Sequence, residues 1–252
     1  MMKRKELLEY VNTLLNIGEY EDYAPNGLQV EGTADVTTIV TGVTACQALL
    51  DKAVEKKADA VLVHHGYFWK GESPAVIGMK AKRLKTLLAH DINLMAYHLP
   101  LDGHDEFGNN VQLAQLMDWK VTGDMDLSYG KGVGRIGELK TPLSVEALAK
   151  VFEEKLQRNP LYIAAHDQEV KTLAWCTGGA QDCLKRAAEL GVDAYVTGEA
   201  SEYNAHQARE LGIHFFAAGH HATERYGVKA LGEHLAEKFD VNVEFVDIPN
   251  PI

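Results

Sequence analysis

Four of the eleven histidines in this 252-residue chain stand as two adjacent pairs, His64-His65 and His220-His221. The first pair lies in Val63-His64-His65-Gly66, directly after the apolar run Ala60-Val61-Leu62-Val63. Two imidazoles are thereby set at the carboxyl end of a predicted strand, the edge where open α/β sheets put their ligands. Neighbouring strand residues point to opposite faces, but the strand ends here and Gly66 lets the chain turn, so both rings can face one cavity. Beyond the next predicted strand, Tyr97-His98-Leu99-Pro100-Leu101-Asp102 brings Asp102 to the same edge as a hard oxygen ligand, with His98 nearby. Gly219-His220-His221-Ala222-Thr223-Glu224 follows the apolar strand Phe215-Phe216-Ala217-Ala218 and opens a helix running toward Leu235. On that helix His220 and Glu224 are i and i+4, a separation that lets two side chains grip one ion; His221 is i+3 from Glu224, so spacing does not choose between the histidines. Each segment has a plainer account: one satisfied buried histidine beside an exposed one, a turn aspartate after a proline, a histidine pair capping a helix. Three strand ends each delivering histidine or carboxylate groups favour a metal centre, and this mixed ligation suits Zn, Fe, Mn, Co or Ni.

The elements that must position these groups follow from periodicity. Leu7, Leu8, Val11, Leu14 and Leu15 fall at helical spacing and predict a helix over about 4–17, broken at Ala24-Pro25-Asn26-Gly27. The β-branched stretch 37–43 predicts a buried strand, followed by a helix through Leu49, Leu50, Ala53 and Val54. A strand at 60–63, a helix near 79–89 and a strand at 93–97 continue the alternation, which implies a largely parallel sheet covered on both faces. The second half repeats the first: at an offset of 134, Gln47, Leu50, Ala53, Asp59 and Ala60 align with Gln181, Leu184, Ala187, Asp193 and Ala194. The expected fold is therefore α/β, two similar lobes with mostly parallel sheets that arose by internal duplication, with residues 39–63 superposing on 173–197. The Gly- and Asp-rich stretch Thr122 to Gly137 reads as the crossover. The first lobe is placed at 1–126 with 220–252, carrying most of the metal ligands, and the second at 127–219.

Composition excludes several classes. A net charge of −11 repels phosphate backbones, and no basic run offsets it, so nucleic acid is a disfavoured partner. No apolar run approaches the 18 or so residues needed to cross a bilayer, and the N-terminal segment lacks a signal-peptide apolar core, so the expectation is a cytoplasmic protein without membrane association. Cys46, Cys176 and Cys183 are an odd count without a CxxC pair and read as reduced, packed thiols. Gly132-Val133-Gly134-Arg135-Ile136-Gly137 matches a dinucleotide fingerprint formally but lacks the strand before it and the helix after it; Pro142 arrives before the next helix, whose N-cap is predicted at Ser144. Arg135 is open to two readings, an anion contact in the cavity or a pair with a surface carboxylate. Lys80, Lys82, Arg83 and Lys85 spread round a helix as a solvated face.

Taken together, Ala24-Pro25-Asn26-Gly27-Leu28-Gln29-Val30, Val63-His64-His65-Gly66, His98-Leu99-Pro100-Leu101-Asp102, Gly132 to Gly137, Gly219 to Glu224 and the ending Ile248-Pro249-Asn250-Pro251 closely resemble the Nif-three-like family, whose members are often called GTP cyclohydrolase I type 2 homologues. The resemblance spans nearly the whole chain and is nearest to the short enterobacterial members. It implies two α/β lobes, a dinuclear metal site and a ring-shaped, toroidal homohexamer with the sites facing the central cavity. Carried over residue by residue, it implies His64, His65, Asp102, His220 and Glu224 as ligands of two divalent ions, with Glu224 bridging, and it selects His220 over His221. His221 departs from the Tyr common at that position. Paired metals supply hydroxide near neutral pH and stabilise an oxyanion, so the implied activity is hydrolysis of a small molecule, a nucleotide or related heterocycle, with the handling of damaged nucleotides as one setting for it. His98, His104 and Glu199 are the candidates for proton transfer or support of the ligands. The rival expectation is a metal-binding or scaffold ring without turnover. A ring enclosing nucleic acid, as DNA-damage associations of relatives would suggest, is opposed by the charge.

Overall fold

Runs of β-branched and aliphatic residues become the central strands, and the apolar faces of short helices cover them. The computed structural model describes residues 2–252 and divides into two units, Met1–Leu101 with Gly227–Pro249 and Asp102–Tyr226 with Asn250–Ile252.

The first unit contains β1 (Met2–Lys3), α1 (Arg4–Leu14), β2 (Gly27–Val30), β3 (Asp35–Val36), β4 (Thr38–Thr44), α2 (Gln47–Glu55), β5 (Ala60–His65), α3 (Gly78–Ala89), β6 (Asn93–Ala96) and β13 (Asn242–Phe245). β1 pairs with β3, and the main sheet has the order β13-β4-β5-β6-β2. β13, β4, β5 and β6 run parallel and only the edge strand β2 is antiparallel. Residues 39–43 are all buried, as expected for a strand covered on both faces, whereas α2 buries the single stripe Leu49, Leu50 and Ala53. That stripe packs with Val40, Val61, Val63, Leu87 and Leu94 into one core, so truncating Leu50 to Ala there would cost about 2–5 kcal/mol.

The second unit holds α5 (Asn109–Met117), β7 (Lys120–Asp124), β8 (Arg135–Leu143), α6 (Val145–Leu156), β9 (Leu161–Ile163), β10 (Val170–Trp175), α7 (Leu184–Glu189), β11 (Ala194–Thr197), α8 (Glu202–Leu211) and β12 (His214–Ala217). Its sheet has the order β7-β8-β10-β11-β12-β9. β10, β11 and β12 are parallel, while β7, β8 and β9 add antiparallel flanks, so its parallel centre is narrower than the sequence suggests. Phe152, Trp175, Val196 and Phe216 anchor its core. Ser144 caps α6 as expected, its hydroxyl accepting the Ala147 N–H at 3.2 Å. Two helices, α4 (Leu99–Gly103) and α9 (His220–Lys238), contain the points of division.

Two expectations need correction. The division falls at Leu101/Asp102 and at Tyr226/Gly227 rather than near 126 and 220, because β7 pairs with β8 and α5 packs on α6. The stretch 122–137 is likewise not the crossover: it lies within the second unit, and its ends belong to a pair of antiparallel strands, β7 and β8.

The offset of 134 reappears in the pairing. β4–β5 sets Ile39 opposite Ala60 and Val40 opposite Val61, while β10–β11 sets Leu173 opposite Ala194 and Ala174 opposite Tyr195, the same register 134 residues on. Asp59 Oδ2 accepts the backbone N–H groups of Thr37 and Thr38 at 2.8 and 2.9 Å. Asp193 Oδ2 accepts those of Lys171 and Thr172 at 3.0 and 2.7 Å. Each aspartate thus ties the start of one parallel strand to the start of its neighbour.

Candidate metal centre

In the first unit, β5 ends on His64 and His65, and the chain leaves β6 through Tyr97 and His98. The parallel pairing of β5 with β6 makes these exits neighbours. His64, His65 and His98 each offer a ring nitrogen, and the three nitrogens lie within 4.8 Å of one another. His64 is wholly buried, and its Nδ1–H donates to the Tyr97 carbonyl at 2.9 Å, which leaves the lone pair of the neutral ring on Nε2. His65 sits 3.2 Å from Thr44 Oγ1 through Nδ1, so both rings of the pair are oriented from behind. The strand therefore extends through His65, and convergence of the two rings needs no break between them; their centroids are 4.5 Å apart.

His98 is held by Asp22 at 2.8 Å through Nδ1. Asp22 also accepts the Leu99 N–H at 2.9 Å and the Asn26 side-chain amide at 2.9 Å. Burial favours the neutral acid, but the contacts with His98, Asn26 and Leu99 outweigh it and pull the Asp22 carboxyl down to about 2. His98 is thus backed by an ionised carboxylate, in a segment the proline- and glycine-rich sequence marks only as a loop.

In the second unit, the first turn of α9 carries His220 and Glu224 on one face, with His220 Nε2 3.2 Å from Glu224 Oε2. Glu224 is 2% exposed. Glu199, just past the end of β11, meets the other ring nitrogen, Nδ1, at 2.6 Å. Burial would lower the His220 pKa, but the Glu224 and Glu199 carboxylates outweigh it and raise the imidazole to about 9. A histidine gripped by a carboxylate behind and facing a buried carboxylate in front has the donor arrangement of a histidine metal ligand with its supporting acid.

The exit of β10 completes this half. Gly178 has φ +71°, and a Cβ built on it would lie 2.1 Å from Glu224 Oε1 and 3.1 Å from His220 Nε2. The bare backbone therefore leaves room beside both donor groups that any side chain would fill. Thr177 Oγ1 donates to Asp102 Oδ1 at 3.3 Å, and the Asn109 amide donates to the same oxygen at 2.8 Å, so the buried Asp102 carboxylate is held in place at 6% exposure. Cys176, one residue earlier, donates its thiol to the Val133 carbonyl at 2.9 Å. Burial, reinforced by the Asp102 and Glu224 charges, raises that thiol well above its usual pKa. Sequence reasoning missed Thr177 and Gly178, although the 134-residue offset pointed there, since it relates Thr44, which orients His65, to Gly178.

The remaining candidates are placed differently. His104 Nδ1 accepts the N–H groups of Glu106 and Phe107 at 3.2 and 3.0 Å, and its ring stacks on Phe107, so this imidazole caps a turn. The His221 N–H donates to the Ile252 carbonyl at 3.0 Å. Arg135 donates to Asp105 at 2.6 Å and to the Gly103 carbonyl at 3.2 Å, which is the plainer of its two readings. Imidazole nitrogens and buried carboxylates are the donors a borderline divalent ion takes, the ion displacing the proton that the two carboxylates hold on His220, so the residues in each unit fit a metal. Among the described residues no helix is long and apolar enough to cross a membrane.

Known proteins resemble this chain along its whole length. A family model described as Duf34/NIF3 (NGG1p interacting factor 3) matches residues 2–251. The GTP cyclohydrolase 1 type 2 homolog of Yersinia pestis is 56% identical, over 99% of this chain and all of that protein. A solved structure of a protein called ybgI, described as of unknown function, has a TM-score of 0.96 at 55% identity over both full chains. That of TTHA1606 from Thermus thermophilus has a TM-score of 0.90 at 33% identity, again over both full chains.

Proposed function

The chain belongs to the Duf34/NIF3 family, and from that premise we propose that it is a metal-dependent hydrolase whose two divalent ions are held by His64, His65, Asp102, His220 and Glu224. In this reading Glu224 would give its buried carboxylate to the ions, which would be Zn, Fe, Mn, Co or Ni. The observation that carries it is His220, fixed at Nδ1 by Glu199 at 2.6 Å while Nε2 faces the buried Glu224 at 3.2 Å.

When bound, divalent ions supply Lewis acidity, making water nucleophilic near neutral pH and neutralising charge that develops on the substrate. The chain's own groups do the rest. Tyr97 and Thr44 fix the rings of His64 and His65, and Asn109 and Thr177 hold the Asp102 carboxylate, so the donors are oriented before any ligand arrives. His98, with Nδ1 committed to the ionised Asp22, is the group suited to hold or pass a proton at its other nitrogen. The substrate class is a nucleotide or related heterocycle, a reading supported by the names of the relatives, and damaged nucleotides fall within it. The cytoplasm as compartment and a toroidal homohexamer as assembly accompany the proposal.

Elemental analysis of purified protein is the first test. Two equivalents of metal in the natural chain, and less than half of that in folded His65→Ala and Glu224→Ala variants, are expected; unchanged content in both would refute the ligand assignment. A screen of nucleotides, phosphoesters and cyclic amides with each metal restored should then reveal slow hydrolysis. Metal binding without turnover on any of them would make the chain a metal-binding scaffold instead.

A further inference from the structure

Beside the three histidines of the first unit stands a group of aromatic rings that metal binding does not use. Tyr23 and Trp69 lie 5.7 Å apart between centroids with their planes tilted by 36°. Both meet His98 edge-on, at 5.0 and 5.1 Å, and Trp69 also lies 5.9 Å from the ring of His65. Tyr23 is nonetheless 48% exposed.

The backbone holds the two rings in place. The Trp69 indole N–H donates to the Gly66 carbonyl at 3.2 Å, which orients the ring against the histidine turn. The Lys70 N–H donates to the Tyr23 carbonyl at 2.8 Å, tying the two segments together. Phe68, between them in sequence, adopts φ +65°, a conformation costing a non-glycine residue about 1–3 kcal/mol that the local structure must sustain.

We propose that Tyr23 and Trp69 form a stacking wall for the planar heteroaromatic ring of a small molecule whose reacting part sits at the histidines. The proposal rests on the reading of those histidines as part of a reactive centre and assigns to its heterocyclic substrate the residues that hold the ring. A ring inserted between Tyr23 and Trp69 would need two contact distances, roughly 7–8 Å, so a 5.7 Å gap admits none and the ligand stacks on the outward side. The same closeness argues against a cage for a quaternary ammonium ion, which requires rings set around a void. A flat π-face, by contrast, meets an extended and partly exposed aromatic surface, the platform on which bases stack.

The chain has three tryptophans, and Trp119 and Trp175 are 7% and 0% exposed, so Trp69 is the one positioned to report contact with a solute. Titrating the full chain with guanosine should quench tryptophan emission saturably, whereas ribose 5-phosphate and tetramethylammonium should not. Tyr23→Leu should weaken guanosine binding at least about fivefold, the low end of what a base-stacking ring contributes, with metal content and Tm unchanged; Tyr23→Phe should retain it. Trp69→Leu, followed by calorimetry because it removes the reporter, should show a similar loss. Absence of saturable quenching, equal quenching by tetramethylammonium, or unaltered affinity in Tyr23→Leu would overturn the wall. Guanosine binding without turnover of any substrate would sink the hydrolase reading and leave the wall standing, and turnover with unaltered Tyr23→Leu affinity would do the reverse.

Discussion

Glu199 and His220 are joined at 2.6 Å through Nδ1, on the side of the ring opposite the nitrogen that faces Glu224. Glu199 is 37% exposed at its side chain and Glu224 3%, so the two carboxylates grip one imidazole from different environments. In the proposed centre the buried one is a donor group, and the exposed one sets the ring.

Glu199→Gln separates these roles. The amide oxygen still accepts the Nδ1–H, but the charge that makes the ring a better donor is gone, so metal affinity should fall about tenfold to a hundredfold while stoichiometry at saturating metal stays the same. Competition with a chromophoric chelator measures it. Affinity equal to that of the natural chain would mean that Glu199 does not support His220.

Gly178→Ala tests the space beside Glu224. The added methyl would sit 2.1 Å from Glu224 Oε1, on a residue whose φ of +71° already disfavours a Cβ. We expect loss of metal together with a stability decrease of about 1–3 kcal/mol. Metal analysis beside thermal melting checks both, and a fully loaded, equally stable variant would contradict the close approach.

Asp193→Asn addresses stability in acid. Burial opposes ionisation of Asp193, but the N–H groups of Thr172 and Lys171 and the Thr172 hydroxyl outweigh it and hold the carboxyl below 3.8. A lowered folded-state pKa contributes stability that is complete above the unfolded value and is lost as pH falls through the folded one. The variant should therefore lose about 1–2 kcal/mol at neutral pH and show a flatter stability curve below about pH 4. Denaturant melts from pH 2 to 7 would reveal this, and parallel curves for the two proteins would rule it out.

Assembly is open to a direct measurement. Light scattering at micromolar concentration should give six times the 27.8 kDa chain mass, and a monomer or dimer would refute the ring.

What the sequence made legible follows from burial. β4, β5 and β6 were readable because strands covered on both faces are written in apolar and β-branched residues, and the helix of His220 and Glu224 because two candidate ligands recur at its period. β7 was not, since residues 120–122 are exposed and leave no apolar face to detect. β8 hides its alternation because its buried positions include Arg135 and Gly137. Asp59 and Asp193, 134 residues apart, are identical side chains performing one hydrogen-bonding task. Gly178 and Thr177 left no trace beyond the 134-residue offset: one acts through lacking a side chain and the other through a single hydroxyl at a strand exit.

The placement of Cys176 bears on how the chain answers to thiol reagents. Its sulfur lies one residue before Thr177, yet the thiol is buried and turned to the Val133 carbonyl. Thiolate is the form that reacts, and burial raises this thiol well above its usual pKa. Cys176 is therefore an inert packing group, and alkylation of the folded chain should spare it.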